Sequence, residues 1–152
     1  QGNFAGFSIW DISNPAKPTW VSTVSCITSQ GDPSIYGNLL FLSGVGPRER
    51  GSKKIPGVEL DAQGNIVSYD LETQCHSVFR NVRYILEEAG SSWERLVDVT
   101  VYLTNMKADF PIYNRLWAEY FKDNPPCRTT LEINALPTPI AIELKCIATI
   151  GD

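Results

Sequence analysis

Apolar positions change their period along the chain. Residues 36–45, YGNLLFLSGV, form a short apolar run entered through Gly37-Asn38 and stopped at Gly44, the length and punctuation of a buried strand. The Gly-, Pro- and charge-rich stretch 46–64 reads as one long loop, and NIVSY after it as a short strand. From Asp70 the spacing turns helical: Leu71, Cys75, Val78, Val82, Ile85, Leu86 and Ala89 share a face, with Asp70 as N-cap and Gly90 as stop. RLVDVTVYL then alternates, with Val97, Val99, Val101 and Leu103 on the core side and Asp98, Thr100 and Tyr102 on the other. A second helix is expected from near Asp109, carrying Phe110, Tyr113, Leu116, Trp117 and Tyr120 until Pro125-Pro126 end it. Two strands close the order, joined by a Pro-bounded loop; the first opens on Arg128, and the second carries Glu143 in an apolar run.

A chain of 152 residues is one domain with room for a real core, not two. With 43% hydrophobic and 20% charged residues and a net charge of −4, it lacks the basic stripe of a nucleic-acid binder. No apolar segment reaches about 18 residues and the N-terminus does not resemble a signal peptide, so no membrane partner is expected and the cytoplasm is the default compartment. Cys26, Cys75, Cys127 and Cys146 are scattered and His76 is the only histidine, which argues against a metal site and for free thiols. Cys127 differs from the others, because Arg128 beside it favours a thiolate. His76 reads as a surface or interfacial helix residue.

Arg128 and Glu143 are the candidate chemistry. A guanidinium can hold a carboxylate by two parallel hydrogen bonds, and a carboxylate among Ile142 and Leu144 can carry a raised pKa and act as acid or base. The plain alternative is an ion pair across adjacent strands.

FLSG, RNVRYILEEAGSSWERLVDVTVYLTNM, YNRLWAEYF and the closing P-x-R-T-T, LP and IELKCIA together resemble the RidA/YjgF family of enamine/imine deaminases, over residues 36 to 150. In that family an arginine and a glutamate stand fifteen positions apart around LP, as Arg128 and Glu143 do around Leu136-Pro137. The resemblance implies an α+β, chorismate-mutase-like fold, a mixed sheet with two helices on one face, assembled as a homotrimer. The three sheets would form a central barrel, with active sites in the clefts between subunits. Strands apolar on both faces, as the last two read, would need such cover. The resemblance further implies a cofactor-free reaction on a small carboxylate: Arg128 grips the carboxylate and Glu143 activates water or shuttles a proton. Asn114 matches the family's cleft-lining asparagine, and backbone groups around Ser43-Gly44 and Cys127-Arg128 would stabilise the tetrahedral adduct.

GPRERGSKKIPG places Arg48, Arg50, Lys53 and Lys54 against Glu49 alone, directly after FLSG. It is either a solvated loop or a positive field for a second carboxylate, with Arg48 and Arg50 as binding residues. The family's 2-aminomuconate deaminases, which form 4-oxalocrotonate and ammonia, have an arginine-containing loop here and a downstream Asp-x-x-Gly similar to DAQG. That branch is the expected substrate class. A general 2-aminoacrylate/2-iminopropanoate deaminase and a non-catalytic metabolite-binding trimer are the alternatives.

Residues 1–35 depart from the family, and 36–152 carry the deaminase-like domain. Thr28 stands where the family has a tyrosine facing the site, and GFSIWDISNPAKPTWV looks like one LVIVD-type β-propeller repeat. One copy cannot form a propeller. It is read as an extra hairpin packing Trp10 and Trp20 on the domain, or else as a fusion remnant.

Overall fold

The computed structural model describes residues 2–3, 6–25 and 33–151 of the chain. Thr28 and Cys26 lie outside them. The strands are β1 (Gly2–Asn3), β2 (Gly6–Asp11), β3 (Thr19–Ser25), β4 (Ser34–Tyr36), β5 (Leu39–Val45), β6 (Val58–Leu60), β7 (Ile66–Tyr69), β8 (Leu96–Leu103), β9 (Cys127–Glu132) and β10 (Ile142–Thr149). The helices are α1 (Leu71–Glu88) and α2 (Met106–Tyr120). The principal sheet runs β4-β5-β10-β8-β9. Only its β8–β9 pair is parallel, because α2 carries the chain back along the sheet between those strands. The result is a mixed α+β fold with two helices, as expected.

Burial along β10 alternates strictly, with Ile142, Leu144, Cys146 and Ala148 facing a core shared with Val78, Phe79 and Val82 of α1 and Tyr113 and Leu116 of α2. The other face of β10 carries Glu143, Lys145, Ile147 and Thr149 and stays accessible. That corrects the expectation of two apolar faces: one face is core, the other amphipathic. A bulge in the β10–β8 ladder pairs Ala148 with Leu96, so Leu96 turns inward and Val97 is left 45% exposed. Simple alternation assigned them the other way.

Helix α1 begins where Asp70 accepts from the Thr73 backbone at 3.2 Å and from the Thr73 hydroxyl at 2.6 Å. The Asp70 amide donates to the Gly57 carbonyl at 2.7 Å, tying the β6–β7 hairpin to the helix start. Gly57 must be glycine: its φ is +62°, and a Cβ there would sit 2.8 Å from the Asp70 carbonyl oxygen. The loop expected over 46–64 therefore contains β6, which is too short to show a period. At the other end of α1, Gly90 at φ +77° lets the Ser91 amide reach the Leu86 carbonyl at 2.8 Å. Helix α2 starts three residues before Asp109, because Asn105 caps the Ala108 amide at 3.2 Å.

β2 and β3 form the hairpin read from the sequence, with Trp10 paired to Trp20. Those indoles remain 45% and 55% exposed rather than buried on the principal sheet. Among the described residues no helix is long and apolar enough to cross a membrane.

Candidate active site

Arg128 lies on β9, the edge strand, in register with Val99 of β8. Paired residues share a face, and Val99 is buried under the helices, so Arg128 also turns to the helix side. There its Nη1 donates to Asn114 Oδ1 at 3.0 Å. Its guanidinium carbon stands 4.9 Å from the centre of the Trp117 ring, 5.7 Å from Tyr113 and 5.8 Å from Phe110. These rings project from one side of α2 at helical spacing, which is why one short helix can surround a single cation. Among the described residues, Arg128 forms no ion pair with a carboxylate. On the same side, burial raises the pKa of the Tyr113 hydroxyl while the Arg128 charge opposes the rise, and Thr130 Oγ1 is buried without a hydrogen-bond partner among the described residues. The guanidinium is thus fixed in place and still a full positive charge.

Glu143 pairs with Tyr102 of β8. Val99 and Tyr102 are three apart on one strand, so Arg128 and Glu143 point to opposite faces of the sheet. The strand β8 also separates β9 from β10, which rules out the adjacent-strand ion pair. Glu143 is half-buried on the open face, and desolvation raises its carboxyl pKa above the ordinary value. Gly44 lies against it, in a stretch where the β5–β10 register shifts; a Cβ on Gly44 would be 3.6 Å from Glu143 Oε1. That contact would be tolerable. The φ of +62° is what favours glycine there. Ser43 is exposed beside it.

One chain therefore brings together two separate groups: Arg128 with Asn114, and Glu143 with Gly44 and Ser43. It does not join them. Cys127, next to Arg128 along β9, turns to the opposite face and is an exposed thiol. Burial pushes the other two described thiols, Cys75 and Cys146, up to about 12, so they stay protonated.

The basic loop is fastened to α1. Ser77 donates to the Pro47 carbonyl at 2.7 Å, and Asn81 donates to the carbonyls of Gly46 at 2.9 Å and Arg48 at 2.8 Å. Arg50 forms an ion pair with Glu88 and lies 5.6 Å from the Tyr84 ring centre, while Lys54 meets Glu49 at 3.3 Å. The carboxylate partner of Arg50 was invisible to a local charge count, because Glu88 is contributed by the helix.

Sequence reading missed Asp109. It is 2% exposed, and Tyr69 donates its hydroxyl to both carboxylate oxygens at 3.1 and 3.0 Å. Desolvation raises its pKa, and burial with the nearby Asp109 charge lifts Tyr69 to about 12. Nothing local marks the pair, which is forty residues apart in sequence. Among the described residues, no three of His, Cys, Asp and Glu cluster to hold a metal.

The mixed sheet, with a cation held at its edge and a half-buried carboxylate on its accessible face, defines an α+β domain with two helices. The chain belongs to the family described as Endoribonuclease L-PSP, whose model matches residues 31–150. It is 37% identical to a RutC family protein of Pyrococcus horikoshii over 74% of this chain and 79% of that one. To the chloroplastic Reactive Intermediate Deaminase A of Arabidopsis thaliana it is 31% identical, over 97% of this chain and 81% of the relative. Among solved structures, yeast Mmf1 superposes with a TM-score of 0.67 at 27% identity, covering 78% of this chain and 85% of Mmf1. The Escherichia coli YjgF gene product gives 0.63 at 26% identity, covering 77% and 84%.

Proposed function

We propose that the protein is a cofactor-independent hydrolytic deaminase of enamine and imine carboxylic acids. The observation that carries this reading is the guanidinium of Arg128, immobilised against α2 without a neutralising carboxylate among the described residues. Such a group is ready to take the carboxylate of a 2-imino acid in a bidentate grip. Glu143, its pKa raised by burial, takes a proton from water as the oxygen attacks the imine carbon. Glu143 delivers that proton to nitrogen and then takes the hydroxyl proton of the tetrahedral adduct; as the carbonyl forms and the C–N bond breaks, this second proton passes to the departing nitrogen, which leaves as ammonia. Membership of a family that includes the Arabidopsis deaminase supports this chemistry.

Because Arg128 and Glu143 face opposite sides of one sheet, two strands and about 10 Å apart across the ladder, one chain cannot serve both ends of a small substrate. We infer a homotrimer in which Arg128 of one copy meets Glu143 of the next in a shared cleft. The amphipathic open face of β10 would be covered in that assembly.

Within the class we rank 2-aminoacrylate and 2-iminopropanoate ahead of 2-aminomuconate. A distal carboxylate needs a second cation, and Arg50 is already engaged by Glu88 and Tyr84. The decisive experiment is ammonia release from freshly generated 2-aminoacrylate and 2-aminomuconate, measured side by side. Faster release from the first supports this ranking, preference for the second reverses it, and no release from either leaves a metabolite-binding trimer.

A further inference from the structure

We propose that Trp117, with Tyr113 and Phe110, forms an aromatic cradle that positions Arg128 while leaving its charge unneutralised. The inference rests on Arg128 being the carboxylate anchor of the proposed deaminase. An edge-strand arginine is ordinarily steadied by a nearby carboxylate, and that would cancel the charge an anionic substrate must find. Here three rings lie within 6 Å of one guanidinium, and its directed contact at 3.0 Å is to a neutral amide oxygen. Ring faces attract a cation without carrying net charge, so the pose is fixed and the field is kept. Trp117 is nearest, at 4.9 Å, and indole is the ring that attracts a cation best, so its contact is the strongest of the three.

The buried hydroxyl of Tyr113 tells the same way. Burial raises its pKa and the neighbouring guanidinium opposes that rise, so this side chain meets Arg128 with a neutral oxygen as well as its ring. Asn114 takes one edge of the fork through Nη1, which leaves the remaining donors for a carboxylate. None of these three rings touches the reacting atoms in this scheme. They are positioning residues.

The test separates binding from turnover by using pyruvate as a non-reacting carboxylate probe. Trp117→Leu should raise the Kd for pyruvate and the KM for 2-aminoacrylate about tenfold, with kcat changed far less, whereas Trp117→Phe should stay near wild type. The intact protein gives an independent reading, because ring currents should move the Arg128 guanidinium NMR signals, assigned by their loss in Arg128→Lys, upfield of those of an arginine away from any ring. Wild-type affinity in Trp117→Leu, equal damage in the Leu and Phe variants, or an unshifted Arg128 signal would each overturn the cradle. Should Trp117→Leu fail to fold, Phe110→Leu at a half-exposed ring takes its place, with about threefold weaker pyruvate binding expected and no change refuting it. If pyruvate affinity follows the rings but no ammonia is released, the deaminase reading falls and the cradle stands.

Discussion

Arg128 and Glu143 stand on opposite faces of one sheet, on strands that do not touch. This relationship converts a question of chemistry into one of assembly. Two individually dead variants, Arg128→Ala and Glu143→Gln, should restore each other when their subunits are mixed and allowed to exchange. In a trimer whose sites draw one residue from each neighbour, equal mixing returns about a quarter of the sites to the native pair. Ammonia release from the mixture reports it, and a mixture as inactive as its components would mean that both residues serve one subunit's site or none.

Arg128→Ala alone should nearly abolish turnover and leave the fold intact, since the side chain is half-buried at an edge. The loss should approach ~3 kcal/mol in kcat/KM, the scale of a bidentate charged contact. Arg128→Lys should do little better, because an ammonium cannot present a planar fork to a carboxylate or stack flat on Trp117. Wild-type kinetics in the lysine variant would remove Arg128 from the anchor role.

Glu143→Gln should lower kcat by roughly two to four orders of magnitude with a much smaller effect on binding. The pH profile carries the sign. Burial holds the proton on Glu143 to higher pH than on an exposed glutamate, so the base form appears late. Activity should rise with pH through that raised pKa, and this acid limb should be absent from the residual rate of the glutamine variant. An acid limb that persists unchanged would assign it to another group.

Replacing Arg48 and Arg50 together by alanine should disturb the loop rather than select between substrates. With Arg50 already held by Glu88, the KM values for 2-aminoacrylate and 2-aminomuconate should move in parallel and by less than about threefold. A tenfold rise confined to the dicarboxylate would instead make this loop the second anchor.

Tyr69→Phe tests the buried carboxylate of Asp109. Because burial raises the folded-state pKa, the stability linked to this proton is complete below the unfolded pKa and is lost as pH rises through the folded one. The Tyr69 hydroxyl favours the ionised form and so limits that loss. Without it the protein should be destabilised by about 1–3 kcal/mol near neutral pH and by much less in mild acid, as read from urea unfolding at both. Equal destabilisation at the two pH values would mean that the hydroxyl acts by packing alone.

Most of the architecture was legible because it follows local rules. Asp70 and Gly90 bound α1 through capping chemistry that needs no partner from elsewhere. The edges of β8 were not legible, since a bulge set by β10 reversed Leu96 and Val97, and alternation has no knowledge of a partner strand. The site divides in the same way. Arg128 and Glu143 could be singled out by residue type and motif, and the helix spacing of Phe110, Tyr113 and Trp117 was plain. That those rings close on Arg128, and that Asp109 is met by Tyr69, depends on crossings between distant elements. The separation of Arg128 from Glu143 depends on strand order, which their fifteen-residue spacing does not encode.

The strand at the centre of the principal sheet is β10, the last of the sheet to leave the ribosome. β5 and β8 have no ladder between them until it arrives, so the nascent chain must hold two half-sheets apart, each with one apolar face, through most of its synthesis. Completion is then a single late insertion that joins both halves and delivers Glu143 at the same moment. A ribosome stalled before Ile142 would display both half-sheets unjoined and without Glu143.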